Sequence, residues 1–320
     1  MKILVTGGAG FIGSNLTEKL LATGCEVVVL DNFSTGKREN LASFAGNRAF
    51  TLIEDDIRNK DACRRAASGC DAVIHLAAQV SVPFSFAEPE SCIDVNVHGM
   101  ANMLGAAKNA GVGRFIYASS SSVYGDNADL PKKEDFIGRA LSPYALSKQY
   151  GESLAERFHK FYGIESVGLR YFNVFGAKQD PHSHYSAAIP KFACALLNHQ
   201  SPEIYGDGSN SRDFTYVANV VNANIAALNA KKAALNQVYN IAGAERTTIF
   251  ELFKLLRENL AQYDPEIAGI DVRFSPPRQG DIPHSFADIS KAEKLLGYRV
   301  EYTFAAGLKL TAKWYFDNLK

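Results

Sequence analysis

Short apolar runs recur through the first half of the chain, separated by segments of helical pattern. The stretches 3–5, 27–30, 51–54, 72–76, 114–118 and 165–170 are each too brief for a helix and are bounded by glycine or polar residues, which predicts six buried strands. Between them, 14–21, 60–67, 92–110 and 143–162 carry apolar residues at helical spacing; Gly111 and Gly113 break the third of these from the strand that follows. Alternation of this kind predicts an α/β fold with a parallel, doubly wound sheet and right-handed crossovers. Ligands on such sheets lie outside the carboxyl ends of the strands, where the strand order reverses.

Beyond Phe172 the pattern loosens. Turn-forming residues crowd 176–183, 201–211 and 275–283, and short helices are expected near 189–197, 217–228, 249–260 and 303–315. The run 238–241 reads as a strand returning to the main sheet. The expected division is therefore discontinuous: 1–173 plus 213–243 form the sheet domain, and 174–212 plus 244–320 form a smaller C-terminal lobe closing over its edge.

With 320 residues and 47% hydrophobic content, the chain can bury a sizeable core. Lys plus Arg equals Asp plus Glu at 34 each, so no global field draws it to nucleic acid or anionic lipid, and any anionic ligand must be held by a few placed cations. No apolar run approaches membrane-spanning length, and Met1-Lys2 leads directly into the first strand without a signal peptide's order. Cys25, Cys63, Cys70, Cys92 and Cys194 lack metal-type spacing and read as reduced thiols of a cytoplasmic protein. His182 and His184, with no cysteine or acidic cluster around them, read as surface loop, and no metal site is expected.

Candidate chemistry begins at the first strand. Thr6-Gly7-Gly8-Ala9-Gly10-Phe11-Ile12-Gly13 is a glycine turn that opens a helix, and the next strand ends in Asp31. In such a fingerprint the first glycine permits a tight turn, the second lets backbone approach a pyrophosphate, and the third lets the helix pack closely. An acid at residue 31 would take the ribose hydroxyls and repel a 2′-phosphate, which favours NAD over NADP.

Tyr144 and Lys148 stand one helical turn apart, just after Ser142-Pro143. A cation beside a phenol stabilises phenolate, so Lys148 is expected to lower the Tyr144 pKa toward a general base's range. The serines 119–122 follow a predicted strand, and one of their hydroxyls could share the substrate oxygen that Tyr144 deprotonates.

These motifs resemble the extended short-chain dehydrogenase/reductase family, with the match running through Asp31-Asn32, Asp56-Ile57, His75-Leu76-Ala77-Ala78, 119–125, Tyr144 to Lys148 and 169–176. Within it the chain is most similar to nucleotide-sugar 4-epimerases, above all the bacterial UDP-N-acetylglucosamine group, through 170–176, Gly206-Asp207-Gly208, Arg212-Asp213-Phe214, Gly280-Asp281 and His284-Ser285. The resemblance implies a Rossmann-type fold with bound NAD. Gly7, Gly10, Phe11, Ile12 and Gly13 would cradle the cofactor; Asp31, Asn32, Ser34 and Gly36 would hold its adenosine ribose and phosphates. Asp56 and Ile57 would cap the adenine, and Leu76, Ala78, Asn96 and Tyr171 would line the path to the nicotinamide beside Tyr144 and Lys148. Ser120 aligns with the catalytic hydroxyl, with Ser121 and Ser122 as alternatives beside it. On the substrate side the resemblance implies a UDP clamp of Arg212 and Arg278, uracil contacts from Tyr205, Ala187 and Ala188, and sugar or diphosphate contacts from Ser81, Ser121, Asn173 and Ser285. It also implies a homodimer through the two long helices, 92–110 and 143–162.

Two departures bear on the reaction. Dehydratases and decarboxylases of the family carry an acid just before the Val-Tyr-Gly motif, where this chain has Ser121-Ser122; that disfavours elimination. Strictly galactose-type enzymes have a tyrosine where Ser285 stands, and a small residue leaves room for an N-acetyl group. The expected activity is NAD-dependent C4 epimerisation of UDP-GlcNAc/UDP-GalNAc, with UDP-Glc/UDP-Gal as further substrates, through a transient 4-keto sugar. The alternatives are a UDP-glucuronate 4-epimerase or another UDP-sugar oxidoreductase and, from a different class, an NAD-sensing regulatory protein without catalysis.

Overall fold

The computed structural model describes residues 1–181, 187–277 and 283–319. The predicted strands form at Lys2–Thr6 (β1), Glu26–Asp31 (β2), Phe50–Glu54 (β3), Ala72–His75 (β4), Arg114–Ser120 (β5) and Ser166–Tyr171 (β6). Four short strands follow, Val174–Phe175 (β7), Glu203–Tyr205 (β8), Ser211–Arg212 (β9) and Thr215–Tyr216 (β10), before Gln237–Ile241 (β11) returns to pair with β6. The main sheet is seven-stranded and parallel, in the order β11-β6-β5-β4-β1-β2-β3. Its order reverses between β1 and β4, which places the crevice beyond Thr6 and His75.

Alternation along β1 explains why its run is apolar throughout. Ile3 and Val5 enter one core with Leu16 and Leu20 of α1 (Phe11–Ala22), while Leu4 enters the other. That second core holds Cys63 of α2 (Lys60–Ala67) and Met100, Met103 and Leu104 further along. Strands covered on both faces by helices have no solvent side to alternate toward.

Two short helices, α3 (Val82–Ala87) and α4 (Pro89–Ile93), precede α5 (Gly99–Ala110). The helix expected at 92–110 thus starts earlier, at Pro89, and passes through a π turn at Asp94–His98. The other long helix, α6 (Pro143–Tyr162), has its expected bounds; Ser142 caps it by accepting the Ala145 N–H at 3.0 Å.

A third apolar cluster lies outside the sheet. It joins Phe175 and Phe214 to α7 (Ala188–Leu197), while α8 (Val217–Leu228) packs back on the first core. After β12 (Thr247–Thr248), the cluster continues through Leu252 and Leu256 of α9 (Ile249–Ala261), then passes β13 (Arg273–Ser275) and α10 (Ser290–Leu296) to Leu308 and Tyr315 of α11 (Phe304–Leu319). The five cysteines are free thiols. Among the described residues no helix is long and apolar enough to cross a membrane, and no group of His, Cys, Asp or Glu could hold a metal ion. His182 and His184 lie outside the described residues.

Candidate active site

The turn after β1 is built by close contact. Gly7 has φ +70° and donates its N–H to the Leu30 carbonyl at 2.9 Å; a Cβ there would lie 2.8 Å from the Ala77 nitrogen, across the switch point. A Cβ on Gly13 would lie 2.1 Å from the Gly7 carbonyl oxygen, so the third glycine lets α1 pack on the turn itself. Gly10 is the N-cap of α1 and brings no capping side chain, and the first turn, with Phe11 and Ile12, contains no acid. The first N–H groups and the positive end of the helix are left for an anion.

Asp31 is 7% exposed and accepts the Ala9 and Phe33 N–H groups, each at 2.8 Å. Burial raises its pKa and those two bonds oppose the rise. The acid therefore shapes the glycine turn as well as ending β2. Gly36 lies against the same residues: a Cβ there would meet the Ala9 side chain at 2.8 Å. Asn32 donates to Asp56 at 2.7 Å and accepts the N–H of the exposed Ser34 at 3.0 Å. Arg58 forks onto Asp56 and is the main reason its carboxyl is held down at about 2. Ile57 is almost wholly buried with its side chain on Gly99, and Asp56 is the more exposed of the pair.

At the other end of the crevice, Tyr144 is 8% exposed, with the Ser120 side chain near enough to favour its ionised form. Lys148 donates to the Ala118 carbonyl at 3.0 Å, with its Nζ 5.8 Å from the centre of the Tyr144 ring. Burial governs both groups. It pushes the Tyr144 phenol above its usual value, with the Ser120 side chain pulling the other way, and brings Lys148 down to about 8. The Tyr144 phenol is therefore not depressed as its spacing from Lys148 predicts: burial dominates, and the ammonium proton is directed at the Ala118 carbonyl. His75, at the end of β4, bonds Thr6 Oγ1 through Nδ1 at 2.8 Å; burial, then Lys148, lowers it to about 3, so it is neutral.

Among the serines, Ser120 is the one whose side chain acts on the Tyr144 phenol. Ser122 donates its hydroxyl to Ser120 Oγ at 2.8 Å, Ser121 is half-buried at the start of the following 3₁₀ turn, and Ser119 points to Glu152. Two expected cofactor contacts are placed differently. Tyr171 turns its ring into the core, where its hydroxyl pairs with Asn224 of α8. Strand alternation requires this, because its neighbour Arg170 faces α6. Asn96, on the π turn, commits its side chain to Gln79 and to Ser147 Oγ. It thereby fixes the loop that carries the half-buried Leu76 and Ala78.

The residues expected on the substrate side come from several loops. Ser81 caps α3, accepting the Phe84 N–H at 3.1 Å. Asn173 has φ +32° and donates to the Asp213 carbonyl at 3.0 Å. Ala187 and Ala188 form the start of α7, and Tyr205 on β8 donates to Glu203 at 2.7 Å. Arg212 on β9 donates to the carbonyls of Ser211 and Pro283, and the Ser285 N–H donates to Ser211 at 3.0 Å, which seats 283–285 beside β9. Arg278 lies outside the described residues. Asp213, wholly buried, ties these loops by accepting the Gly243 and Ala287 N–H groups, and burial raises it to about 7.

Residues 3–242, which include the glycine turn and the Tyr144–Lys148 pair, match the sequence model of the NAD dependent epimerase/dehydratase family. The chain belongs to that family. It is 37% identical over 318 residues to a putative UDP-glucose 4-epimerase of Methanocaldococcus jannaschii, covering 99% of each chain. It superimposes on the UDP-glucose 4-epimerase of Thermotoga maritima, solved with UDP-glucose, with a TM-score of 0.91 and 37% identity over all of both chains. The UDP-N-acetylglucosamine 4-epimerase of Methanobrevibacter ruminantium, solved with UDP-N-acetylmuramic acid, gives a TM-score of 0.92 at 39% identity, covering 99% of this chain and 98% of that one.

For an NAD-dependent epimerase/dehydratase, the turn after β1 has the right chemistry for the cofactor: an uncapped helix start, a cradle that any Cβ would fill, and a buried acid one strand away. Sequence reasoning placed His75 and Asp213 in matching motifs without giving them a role, and it missed Glu152, which continues the spacing of Tyr144 and Lys148 by one more turn.

Proposed function

We propose that this chain interconverts the C4 epimers of a UDP-hexose, with UDP-GlcNAc and UDP-GalNAc as its preferred pair and UDP-Glc and UDP-Gal as further substrates. The observation that carries the reading is the placement of Tyr144 and Lys148 one turn apart on α6 against the end of β5, where Lys148 donates to the Ala118 carbonyl and the Ser120 side chain acts on the phenol. Tyr144 takes the proton of the 4-hydroxyl while Ser120 shares that oxygen. NAD, when bound, supplies the hydride acceptor for C4 and a positive charge that favours the ionised phenol. The lobe of 174–212 plus 244–320 holds UDP through Arg212 and Arg278 while the 4-keto sugar turns within it, and Tyr144 returns the proton to the 4-oxygen as the epimer forms.

Ser121 and Ser122, standing where an acid would promote elimination, support simple return of hydride over dehydration. Ser285, small and seated beside Arg212, supports a C2 N-acetyl group. The protein also works as a homodimer: Leu146 and Tyr150 of α6 and Ile93 of α4 are exposed at 45%, 57% and 40%, an apolar strip suited to a second copy. Incubating the purified protein and NAD with UDP-GlcNAc, UDP-Glc and UDP-glucuronate separately, and following products by NMR, tests the reading. C4 epimers from the first, at a higher kcat/KM than from the second, are expected. Turnover of the glucuronate alone would overturn the substrate, and turnover of none would overturn the activity.

A further inference from the structure

Ser119 lies beside Ser120 at the end of β5, yet its hydroxyl is directed away from the crevice, donating to Glu152 Oε1. Glu152 is one helical turn beyond Lys148 and two beyond Tyr144, so the three share a stripe on α6. Its carboxylate also takes the Arg170 guanidinium, Nε to Oε1 at 2.9 Å and Nη2 to Oε2 at 2.8 Å. Both side chains are buried, at 3% exposure for Arg170 and 11% for Glu152. Arg170 spends its remaining nitrogen on the Tyr124 hydroxyl and the Glu134 carbonyl, at 3.1 and 2.9 Å.

One ion pair therefore ties α6 to the ends of β5 and β6. Desolvation offsets much of the attraction in a buried pair, so its contribution to net stability is small. Its geometric effect is larger. Lys148 meets the Ala118 carbonyl and the Ser120 side chain acts on the Tyr144 phenol, and these two residues flank Ser119 on the strand. Proton transfer is steeply sensitive to such placement.

We propose that Glu152, clamped by Arg170, is a positioning residue: through Ser119 it holds the end of β5 against α6, setting Ser120 and Ala118 at their distances from Tyr144 and Lys148. The inference rests on the reading of Tyr144 as the proton-transferring group. Ser119→Ala cuts the link and leaves the ion pair, and with it the packing of α6, in place.

Two measurements test it. Steady-state kinetics with UDP-GlcNAc should show kcat lowered about 5- to 20-fold with KM within about two-fold of the parent, because alignment is lost while binding is kept. Titration of Tyr144, read as the ultraviolet difference between each protein and its Tyr144→Phe counterpart, needs no substrate. Its midpoint should rise by about half a unit as the Ser120 side chain draws away from the phenol. A parent-like midpoint and parent-like kcat in Ser119→Ala overturn the proposal, and so does a loss of kcat matched by a lowered Tm and a raised KM. Should the parent turn over no UDP-sugar, the activity reading falls while the titration still decides the positioning role.

Discussion

Asn96 grips Gln79 from both sides, its Oδ1 accepting the Gln79 N–H at 2.7 Å and its Nδ2 donating to the Gln79 carbonyl at 2.9 Å. The π turn aims a side chain from α5's start at a loop on the neighbouring strand's end, where regular helix would carry it past. Asn96→Ala leaves a buried backbone pair without partners and should cost about 1–3 kcal/mol. Thermal or urea unfolding measures this, and NAD retention on gel filtration should fall in parallel as the 76–81 loop loosens.

Tyr144→Phe removes the phenol hydroxyl and keeps the buried ring. Interconversion should fall about 10²- to 10⁴-fold, the range of a lost general acid–base group, with NAD content unchanged. Rates from coupled assay or NMR, alongside cofactor absorbance after denaturation, check both halves.

Gly13→Ala would drive a Cβ to 2.1 Å from the Gly7 oxygen, backbone against backbone, with no flexible side chain to give way. A loss of about 1–3 kcal/mol in stability is expected from the overpacking. NAD retention should fall more steeply than stability, since relief requires moving the turn that receives the pyrophosphate.

Asp56 is held at about 2 against a usual 3.8, chiefly by the Arg58 fork. A depressed carboxyl contributes stability that is complete above about pH 4 and lost as pH falls toward 2. Because the pair is partly solvated, Arg58→Ala should cost under about 1 kcal/mol near neutrality. The difference in Tm between variant and parent should shrink as pH is lowered from about 4 toward 2, the window bounded by the two pKa values.

Much of the sheet was legible because its strands are covered on both faces. Runs such as 27–30 need no partner to be recognised, and the glycines at 7, 10 and 13 announce their turn locally. The Tyr144–Lys148 spacing was likewise local. What escaped depends on distant neighbours. β5 continues through Ser119 and Ser120, which have no apolar signature, because β6 is there to pair with them. The π turn at Asn96 exists for Gln79, and the Tyr171 ring goes to Asn224, neither of them near in sequence. The Tyr144 pKa was misjudged for a related reason: spacing reveals the nearby cation, while burial, the larger effect, is set by everything packed around it.

The outer edge of β6 is closed only by β11, which the chain reaches after passing through α7, β8 and α8. A polypeptide emerging from the ribosome therefore carries an open strand edge until 237–241 has been made, an invitation to pairing with other chains. Vectorial synthesis cannot complete the nucleotide fold first and add the rest afterwards: the segment bearing Arg212 must already be outside the exit tunnel before the last strand can dock.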